Sequence, residues 1–458
     1  MRVIICGAGQ VGYNIAAYLS KEENEVTVVD TDPQLIAHIN ENLDVKGVQG
    51  HASNPDVLNG AGANDADMII AVTHSDEVNM VACQIGHSLF GIPKKIARIR
   101  AQSYLKPEWA NLFSRTHMPI DVIISPEVVI AREIYQRLAV PGTTFVASLA
   151  DGLAHLIGVI CQEDCPVINT PLNQLDTLFP DLSFRIIAIM RKNKPIIPDE
   201  QEQLLEGDEV FFTVDAKHLK RMMTAFGNEE SEARRITIVG GGNIGFGLAQ
   251  MLMKKGRGVQ LKMIERDEKR AQYLSDNLEG AIIMNGDALK KGLLQEAAIE
   301  QTETFVAVTN DDESNILGSL LAKQLGGKRV VTLVNNESYN SLVSPLGIDT
   351  IVSPRATIVA NIMQHVRRGR IKGIYNLRDG FAEIIEAEVS DNVSIVNMPV
   401  EEVEVPHEII VSAIIRDEEV IIPTPDEIIK VDDRVIILAA EDRVNEVERM
   451  FSVQVDLF

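Results

Sequence analysis

Short apolar runs alternate with longer stretches of helical periodicity along most of the chain. In the first 124 residues these runs are rich in valine and isoleucine and are nearly continuous: VIICG, EVTVVD, MIIAVT and KKIARIR. Continuous apolar runs between helical stretches are typical of strands that are buried on both faces of a parallel sheet. We therefore predict an α/β fold with a doubly wound parallel sheet.

The second half of the chain repeats this pattern. Its apolar runs are ITIVGG, VQLKMIE, TFVAVT and RVVTLV, again separated by helical stretches. Two longer segments also return: AVTHSDEVN (71–79) as AVTNDDESN (307–315), and ISPEVVIAREI (124–134) as VSPRATIVANI (352–362). Similarity that persists over many elements indicates duplication of one structural unit. The prediction is two tandem Rossmann-like domains.

A smaller unit follows each of these domains. IIPDEQEQLLEGDEVFF (196–212) resembles IIPTPDEIIKVDDRVIIL (421–438), and both combine an apolar strand, an acidic loop, a charged turn and another strand. This alternation is typical of a half-exposed sheet. The predicted dinucleotide-binding domains are residues 1–124 and 233–351, and the predicted small α+β domains are residues 141–226 and 368–453.

Three further segments connect the predicted domains. The stretches 125–140 and 353–366 are apolar on more than one face, as in crossover helices or helices that pack in a dimer. Because a monomer rarely exposes that much apolar surface, we predict a symmetric oligomer. The charged segment 225–235 is predicted to link the two halves.

Composition and charge restrict the class of protein. The 458 residues are 45% hydrophobic and 24% charged, as in a globular protein. No apolar run reaches the roughly 18 residues of a membrane span, and MRVIICGAGQ enters a strand at once, so neither a span nor a cleaved leader is expected. A net charge of −23 argues against nucleic acid as a partner. Four cysteines, with no second ligand pair near Cys161 and Cys165, predict a reducing, cytoplasmic location and no zinc site.

A glycine pattern follows the first apolar run of each half. Gly7, Gly9 and Gly12 lie between a predicted strand and a predicted helix, which is the context of a dinucleotide-binding loop. The start of the helix offers unpaired N–H groups to the phosphates. Asp30 ends the next strand, where its carboxylate can accept the ribose hydroxyls. The second half repeats this set as Gly240, Gly242, Gly245 and Glu265.

Polar residues follow the third apolar run of each half, at the edge of the sheet where a ligand would lie. Thr73 and His74 take this place in the first half, and Thr309 and Asn310 take it in the second. Because Asn310 replaces His74, we do not expect proton transfer to be the shared role of this position.

The fourth apolar run differs between the halves. KKIARIR carries Arg98 and Arg100, whereas the second half has VVTLVN (330–335). Two guanidinium groups near a phosphate site complement a multiply charged nucleotide. The first site is therefore expected to prefer ATP or NADH over NAD. Pairing of these arginines with surface acids is the alternative.

The predicted ligand is an adenine nucleotide that acts as a signal. Asp30 and Glu265 would repel a 2′-phosphate and so favour NAD over NADP, although Arg266 weakens this exclusion in the second half. A dehydrogenase would also need a substrate cavity and an acid or base beside the nicotinamide, and no unpaired domain remains to supply them. Two alternatives stay open: an NAD-dependent oxidoreductase, and a cation-sensing protein whose acidic small domains bind an ion such as Ca²⁺.

The doubled order of glycine loop, AVTxxDExN segment, connecting helix and small domain resembles the TrkA family over essentially the whole chain. These proteins are peripheral regulatory subunits of bacterial Trk potassium uptake and are built from tandem RCK (KTN) domains. The resemblance implies a cytoplasmic, tetrameric homo-oligomeric ring on the inner face of the inner membrane, where it gates a potassium channel or transporter subunit of the TrkH or TrkG type. It implies NAD, NADH, ATP and ADP as ligands. The nucleotide positions of the family fall on Gly7, Ala8, Gly9, Gln10, Val11, Asp30, Thr73, His74 and Arg98, and on Gly240, Gly241, Gly242, Asn243, Ile244, Glu265, Thr309 and Asn310.

Overall fold

A six-stranded parallel sheet forms the first domain. The computed structural model describes residues 1–451 except 22–23, 229–231, 255–257, 340–342, 344–345, 367–370 and 378–380. The strands are β1 (Arg2–Cys6), β2 (Glu25–Asp30), β3 (Lys46–Gln49), β4 (Met68–Ala71), β5 (Lys94–Arg98) and β6 (Val122–Ile124). Their order is β3-β2-β1-β4-β5-β6, and neighbouring strands are parallel. Successive strands are added on one side of β1 up to β3 and on its other side from β4 onward. Doubly wound sheets bind ligands at the point where this order switches.

Helices alternate with the strands of this sheet. They are α1 (Gln10–Lys21), α2 (Pro33–Asn42), α3 (Pro55–Gly60), α4 (Asp76–Ser88) and α5 (Pro126–Ala139). Three of them begin at side-chain caps: Asp32 accepts from the backbone N–H of Gln34, Asn54 accepts from that of Asp56, and Ser75 accepts from that of Val78. Each cap satisfies a donor that the first helical turn leaves unpaired. The caps thereby fix where α2 and α4 begin, next to the carboxyl ends of β2 and β4.

The second domain repeats this arrangement. Its strands are β12 (Arg235–Val239), β13 (Gln260–Glu265), β14 (Ile282–Asn285), β15 (Thr304–Ala307), β16 (Arg329–Leu333) and β17 (Thr350–Val352), in the order β14-β13-β12-β15-β16-β17. Its helices are α8 (Asn243–Lys254), α9 (Glu268–Asn277), α10 (Lys291–Glu296), α11 (Asp312–Gln324) and α12 (Pro354–Val366). The strand order is that of the first domain, as the sequence repeat predicts.

Antiparallel sheets of five strands form the two small domains. The first contains β7 (Thr143–Leu149), β8 (Ala154–Ile160), β9 (Phe184–Arg191), β10 (Lys194–Ile196) and β11 (Glu209–Asp215), with α6 (Leu172–Leu178) and α7 (Leu219–Ala225). The second contains β18 (Ile371–Asn376), β19 (Ala382–Glu388), β20 (Ile409–Arg416), β21 (Glu419–Ile421) and β22 (Arg434–Ala440), with α13 (Val400–Val403) and α14 (Val444–Met450). The orders β10-β9-β11-β8-β7 and β18-β19-β22-β20-β21 are the same topology read from opposite edges.

The chain forms two compact units that pair like with like. One unit holds essentially both parallel sheets, and the other holds both antiparallel sheets. In the second unit, one apolar cluster includes Leu156 and Phe211 of the first small domain together with Ile384 and Leu438 of the second. The two small domains therefore share a core.

Several apolar residues of the connecting helices α5 and α12 are buried within the single chain. Ile130 and Ala131 of α5 are buried, and so are Ile358 and Ile362 of α12. In the parallel-sheet unit, α8 lies against α5, because a Cβ added at Gly247 would be 3.6 Å from the Cβ of Ala131. Part of the apolar surface of α5 is therefore buried between the two halves of one chain. The predicted oligomer stays a prediction.

The predicted fold class is confirmed: two Rossmann-like parallel-sheet domains, each followed by a small domain with an antiparallel sheet. Parts of the predicted segments lie outside the described residues: 22–23 of the first domain, 229–231 of the linker, 255–257, 340–342 and 344–345 of the second dinucleotide-binding domain, and 368–370, 378–380 and 452–453 of the last domain. None of the helices in the described ranges combines the length and apolarity that crossing a bilayer requires.

Candidate nucleotide-binding site

The first glycine loop forms the tight turn between β1 and α1. Gly7 has a φ of +113°, which is strained for a residue with a side chain, and its N–H donates to the carbonyl of Val29 at 2.8 Å. A Cβ at Gly12 would lie 1.8 Å from the carbonyl oxygen of Gly7. The loop and the first turn of α1 therefore pack backbone against backbone, and only glycine fits at position 12.

The second glycine loop has the same geometry between β12 and α8. Gly240 has a φ of +100°, and a Cβ at Gly245 would lie 1.9 Å from the carbonyl oxygen of Gly240. A Cβ at Gly241 would lie 2.2 Å from Cδ1 of Leu274, which is the end of a flexible side chain. The first loop carries Ala8 at the equivalent position.

Both loops leave open space where a phosphate would lie. A Cβ added at Gly9 or at Gly242 would meet no atom within 4 Å, and neither residue has a positive φ. Side chains are therefore not excluded from these two positions by the protein itself. Glycine here keeps the approach to the start of the helix clear for a pyrophosphate. The residues present fit a dinucleotide.

An acidic residue at the end of the second strand closes each loop. Asp30 accepts from the N–H of Ala8 at 2.7 Å and from the N–H of Asp32 at 2.9 Å. A carboxylate oxygen has two lone pairs, so each oxygen can accept a ribose hydroxyl as well. The acid therefore positions the loop and still has capacity for the ligand.

Glu265 closes the second loop in the same way. It accepts from the N–H of Gly241 at 2.6 Å and from the N–H of Asp267 at 2.8 Å. Arg270 adds a contact without a counterpart in the sequence prediction: its Nε donates to the carbonyl of Gly241 at 2.6 Å. Its guanidinium carbon lies 4.7 Å from the ring centre of Tyr273, within cation–π range.

The AVTxxDExN segment is explained by a buried asparagine. The side-chain oxygen of Asn79 accepts from the N–H of Thr73 at 2.8 Å, and its Nδ2 donates to the carbonyl of Arg98 at 2.9 Å. Asn315 makes the same two contacts with Thr309 and Leu333 in the second half. Both asparagines are completely buried. Each ties the end of the fourth strand to the end of the fifth, at the edge where the ligand is expected.

An aspartate at the start of the following helix holds the next stretch of chain. Asp76 accepts from the N–H groups of Arg100 and Ala101 at 2.8–3.0 Å. Asp312 accepts from Asn335 and Asn336 at 2.9–3.0 Å. The sequence repeat contains these aspartates, but nothing in it indicates that their partners are backbone N–H groups some twenty residues away.

A cavity of about 800 Å³ opens at the second glycine loop, within the parallel-sheet unit. This volume is in the range of about 300–1,000 Å³ that is usual for ligand pockets. The predicted site residues that line it from the second half are Gly240, Gly242, Asn243, Ile244, Glu265, Thr309 and Asn310. Three predicted residues of the first half, His74, Arg98 and Arg100, line the same cavity. The starts of α5 and α12 complete the wall with Pro126, Glu127, Ile130, Pro354 and Ile358.

The remaining predicted residues lie around the first loop or behind the second. Gly7, Ala8, Gly9 and Asp30 are at the carboxyl edge of the first sheet, and Gln10, Val11 and Gly12 form the first turn of α1. In the second loop, the N–H of Gly241 donates to Glu265, and Gly245 packs against the carbonyl of Gly240.

The cavity has both acidic and basic walls. Asp311 caps α11 by accepting from Ser314, and this hydrogen bond lowers the pKa of the Asp311 carboxyl. Arg98 is half-buried, and burial, reinforced by the nearby Arg100, lowers the pKa of its guanidinium. Nε of Arg100 donates to Glu127 at 2.9 Å. No group of three or more His, Cys, Asp or Glu side chains among the described residues is arranged to hold a metal ion.

Comparison with known proteins identifies the family. The model of the TrkA-N domain matches residues 3–126 and 236–354, and the model of the TrkA-C domain matches residues 156–227 and 384–452. The Trk system potassium uptake protein TrkA of Azorhizobium caulinodans is 45% identical, and the match covers 100% of both chains. The chain belongs to the TrkA family. The TrkA protein of Halomonas elongata is 40% identical, also over 100% of both chains.

A solved structure shares the fold of this TrkA family member. The GsuK channel bound to NAD superposes with a TM-score of 0.60 over 98% of this chain and 78% of the channel chain, at 20% sequence identity. The resemblance to the TrkA family that the repeated motifs indicate is thus confirmed by the family models and by full-length relatives.

Proposed function

We propose that both glycine loops bind adenine nucleotides and that this TrkA family member uses them to regulate potassium uptake. The observation that carries the proposal is the open space at Gly9 and Gly242, each at the start of a helix and next to a loop closed by a ribose-facing acid. Backbone N–H groups at such a helix start attract phosphate. The ligands proposed are NAD, NADH, ATP and ADP. The GsuK channel, which has this fold and was solved bound to NAD, supports the proposal of a nucleotide ligand.

The nucleotide is proposed to be a signal and not a substrate. The two halves share the loop, the acid and the buried asparagine, whereas the residue best suited to proton transfer in the first half, His74, is Asn310 in the second. Because the two halves share the residues suited to binding but not the acid–base group, the role that they have in common is favoured to be nucleotide binding and not catalysis. The relatives are described as potassium uptake proteins.

The regulated partner is proposed to be a membrane potassium channel or transporter subunit of the TrkH or TrkG type, with this chain as a homo-oligomeric, tetrameric ring on the cytoplasmic face of the inner membrane. A nucleotide can shift such an assembly between open and closed arrangements only by its difference in affinity for the two. Symmetry would add the small changes of each subunit.

Nucleotide binding without turnover is the first expected result. Isothermal titration of the purified full chain with NAD, NADH, ATP and ADP should give saturable binding. Loss of one charge-assisted contact of about 1.5–3 kcal/mol in Asp30→Ala or Glu265→Ala should weaken binding at the altered loop by roughly ten- to a hundredfold. Reconstituted with the membrane subunit from the same operon, the wild-type chain should make potassium flux depend on the nucleotide. Steady NADH oxidation above about 1 s⁻¹ with any metabolite would instead support an oxidoreductase.

An assembly larger than one chain is the second expected result. Val81 on α4 and Leu317 on α11 occupy equivalent positions in the two parallel-sheet domains, and they are 40% and 50% exposed. Apolar side chains exposed at repeated positions favour a repeated contact between copies. Light scattering at micromolar protein should give a mass that is a multiple of the 50.4 kDa chain. A single species at the chain mass would contradict the proposed ring.

A further inference from the structure

The two halves differ in charge at one structurally equivalent place. Asp76 and Asp312 fix the register there, because Asp76 accepts from the N–H of Arg100 and Asp312 accepts from the N–H of Asn335. The buried asparagines of the two halves fix it again two residues earlier, at the carbonyls of Arg98 and Leu333. Arg98 therefore corresponds to Leu333, and Arg100 corresponds to Asn335. The second half has no guanidinium group at these two positions.

The second half lines its cavity with Arg266 and Arg270, and the first half adds two further guanidinium groups. Arg98 and Arg100 line the cavity that contains Gly242 and Glu265, across the contact between the two parallel-sheet domains. The neighbouring residues Glu127 and Ile130 at the start of α5 line it as well. This wall is therefore a continuous part of the first domain, facing the nucleotide loop of the second.

The guanidinium of Arg98 lies within electrostatic range of Glu127 and Asp76 but pairs directly with neither. Its Nη2 donates to the carbonyl of Thr73 at 2.6 Å, while its buried Nε has no hydrogen-bond acceptor, and no carboxylate of the described residues forms an ion pair with it. In a chain with a net charge of −23, carboxylates are abundant and such a guanidinium is unusual. Partial desolvation strengthens its attraction for an anion, and the planar guanidinium matches phosphate oxygens.

We propose that Arg98 and Arg100 bind the terminal phosphates of a nucleoside triphosphate whose adenosine end lies on the second glycine loop. The site is then composite, with its phosphate-binding arginines in the first half and its glycine loop and ribose acid in the second. This assigns to the second loop the arginines that the sequence alone attributes to the first. It follows that the second loop is the one that prefers ATP to NAD. The inference rests on the proposed function, since it requires that the loops bind nucleotides.

The test separates the two loops in the full-length chain. Gly9→Asp places a carboxylate in the phosphate space of the first loop, and Gly242→Asp does the same in the second, at positions where the protein itself has room for a side chain. Each variant leaves one working loop. Arg98→Ala, Arg100→Ala and, as a matched control, Arg132→Ala on the exposed side of α5 are then combined with each background. ATP and NAD affinities are measured by calorimetry.

With Gly9→Asp, where only the second loop works, we expect Arg98→Ala and Arg100→Ala each to weaken ATP binding about tenfold or more and NAD binding much less. With Gly242→Asp, and with Arg132→Ala in either background, we expect less than about a twofold change in ATP affinity. Arg98→Lys, which keeps the charge, should restore part of the ATP affinity. A general distortion of the site would instead weaken ATP and NAD equally.

Three outcomes would overturn the composite site while leaving the proposed function standing. The arginine substitutions could weaken ATP only with Gly242→Asp, which would return them to the first loop. They could leave ATP affinity unchanged in both backgrounds, which would make the arginines ion-pair partners of nearby acids only. They could weaken ATP and NAD alike with Gly9→Asp, which would give them a structural role. Failure of the otherwise unaltered chain to bind any nucleotide would refute the proposed function itself.

Discussion

Gly12→Ala should destabilise the packing of β1 against α1 in the first domain, and Gly245→Ala should destabilise that of β12 against α8 in the second. The added Cβ would lie 1.8 Å from the carbonyl oxygen of Gly7 in one case and 1.9 Å from that of Gly240 in the other. Backbone atoms on both sides cannot give way as a flexible side chain could. Overpacking of this severity costs about 3 kcal/mol. Amide exchange followed by mass spectrometry should therefore accelerate roughly a hundredfold in the affected strand and helix.

The matched controls lie in the same loops. Gly9→Ala and Gly242→Ala should leave amide protection unchanged, because their Cβ atoms meet nothing within 4 Å. Gly60→Ala, at the exposed end of α3 and equally free of contacts, should be neutral or should stabilise by up to about 1 kcal/mol. The loss of protection should be confined to β1 and α1 for Gly12→Ala, and to β12 and α8 for Gly245→Ala. Equal effects at Gly9 and Gly12 would show that the close helix–strand contact is not what the third glycine serves.

The duplicated fold and both loops could be predicted because their signals are local. Gly7, Gly9 and Gly12 stand next to an apolar run, and the acid that closes the loop ends the next run. Each of these parts is set by turn geometry and strand burial over a few residues. The repetition of every part in the second half removes most of the ambiguity that a single glycine pattern would leave.

The composite cavity could not be predicted because it depends on contacts that are remote in sequence. Arg98 and Glu265 line one cavity although more than 160 residues separate them. Their proximity requires the two parallel-sheet domains to pack together, with the small domain that lies between them in sequence placed in the other compact unit. The hydrophobic periodicity of individual helices and strands carries no information about packing between domains. The one signal available was the difference between KKIARIR and VVTLVN, which indicates an asymmetry and not its direction.

The acidic loops of the small domains are recognisable in the sequence, but the arginines that pair with their carboxylates could not be predicted from it. In the first, Arg191 at the end of β9 donates through Nε and Nη2 to Asp208 at 2.9 and 2.8 Å, and through Nη1 to Glu202 at 3.1 Å. In the second, Arg416 at the end of β20 donates to Asp433 and Glu427 in the same pattern. The sequence repeat shows the acids, whereas the arginines stand 17 residues away with no motif to connect them.

Asp208→Ala should destabilise the first small domain strongly, and Asp433→Ala should do the same in the second. Both carboxylates are 1% exposed, and each also accepts a backbone N–H within its loop: that of Leu205 at 2.8 Å and that of Lys430 at 2.7 Å. Their removal leaves a guanidinium and a backbone donor unsatisfied. Breaking a buried pair in this way costs about 3–5 kcal/mol, and the partial exposure of Arg191 places the expected loss near 3 kcal/mol.

The measurement is amide exchange in β9 and β11 for Asp208→Ala and in β20 and β22 for Asp433→Ala, with an expected acceleration of roughly a hundredfold. Glu202→Ala is the matched control. It removes the other carboxylate from the same arginine, but Glu202 is 28% exposed, so water can replace it and the loss should stay below about 1 kcal/mol. Arg191→Met combined with Asp208→Leu removes both charges, and it should recover much of the loss because no buried ion is left without a partner. If Asp208→Ala and Glu202→Ala accelerated exchange equally, the buried pair would contribute no more than a surface contact, and the repeated arginine would have to be explained by something other than stability.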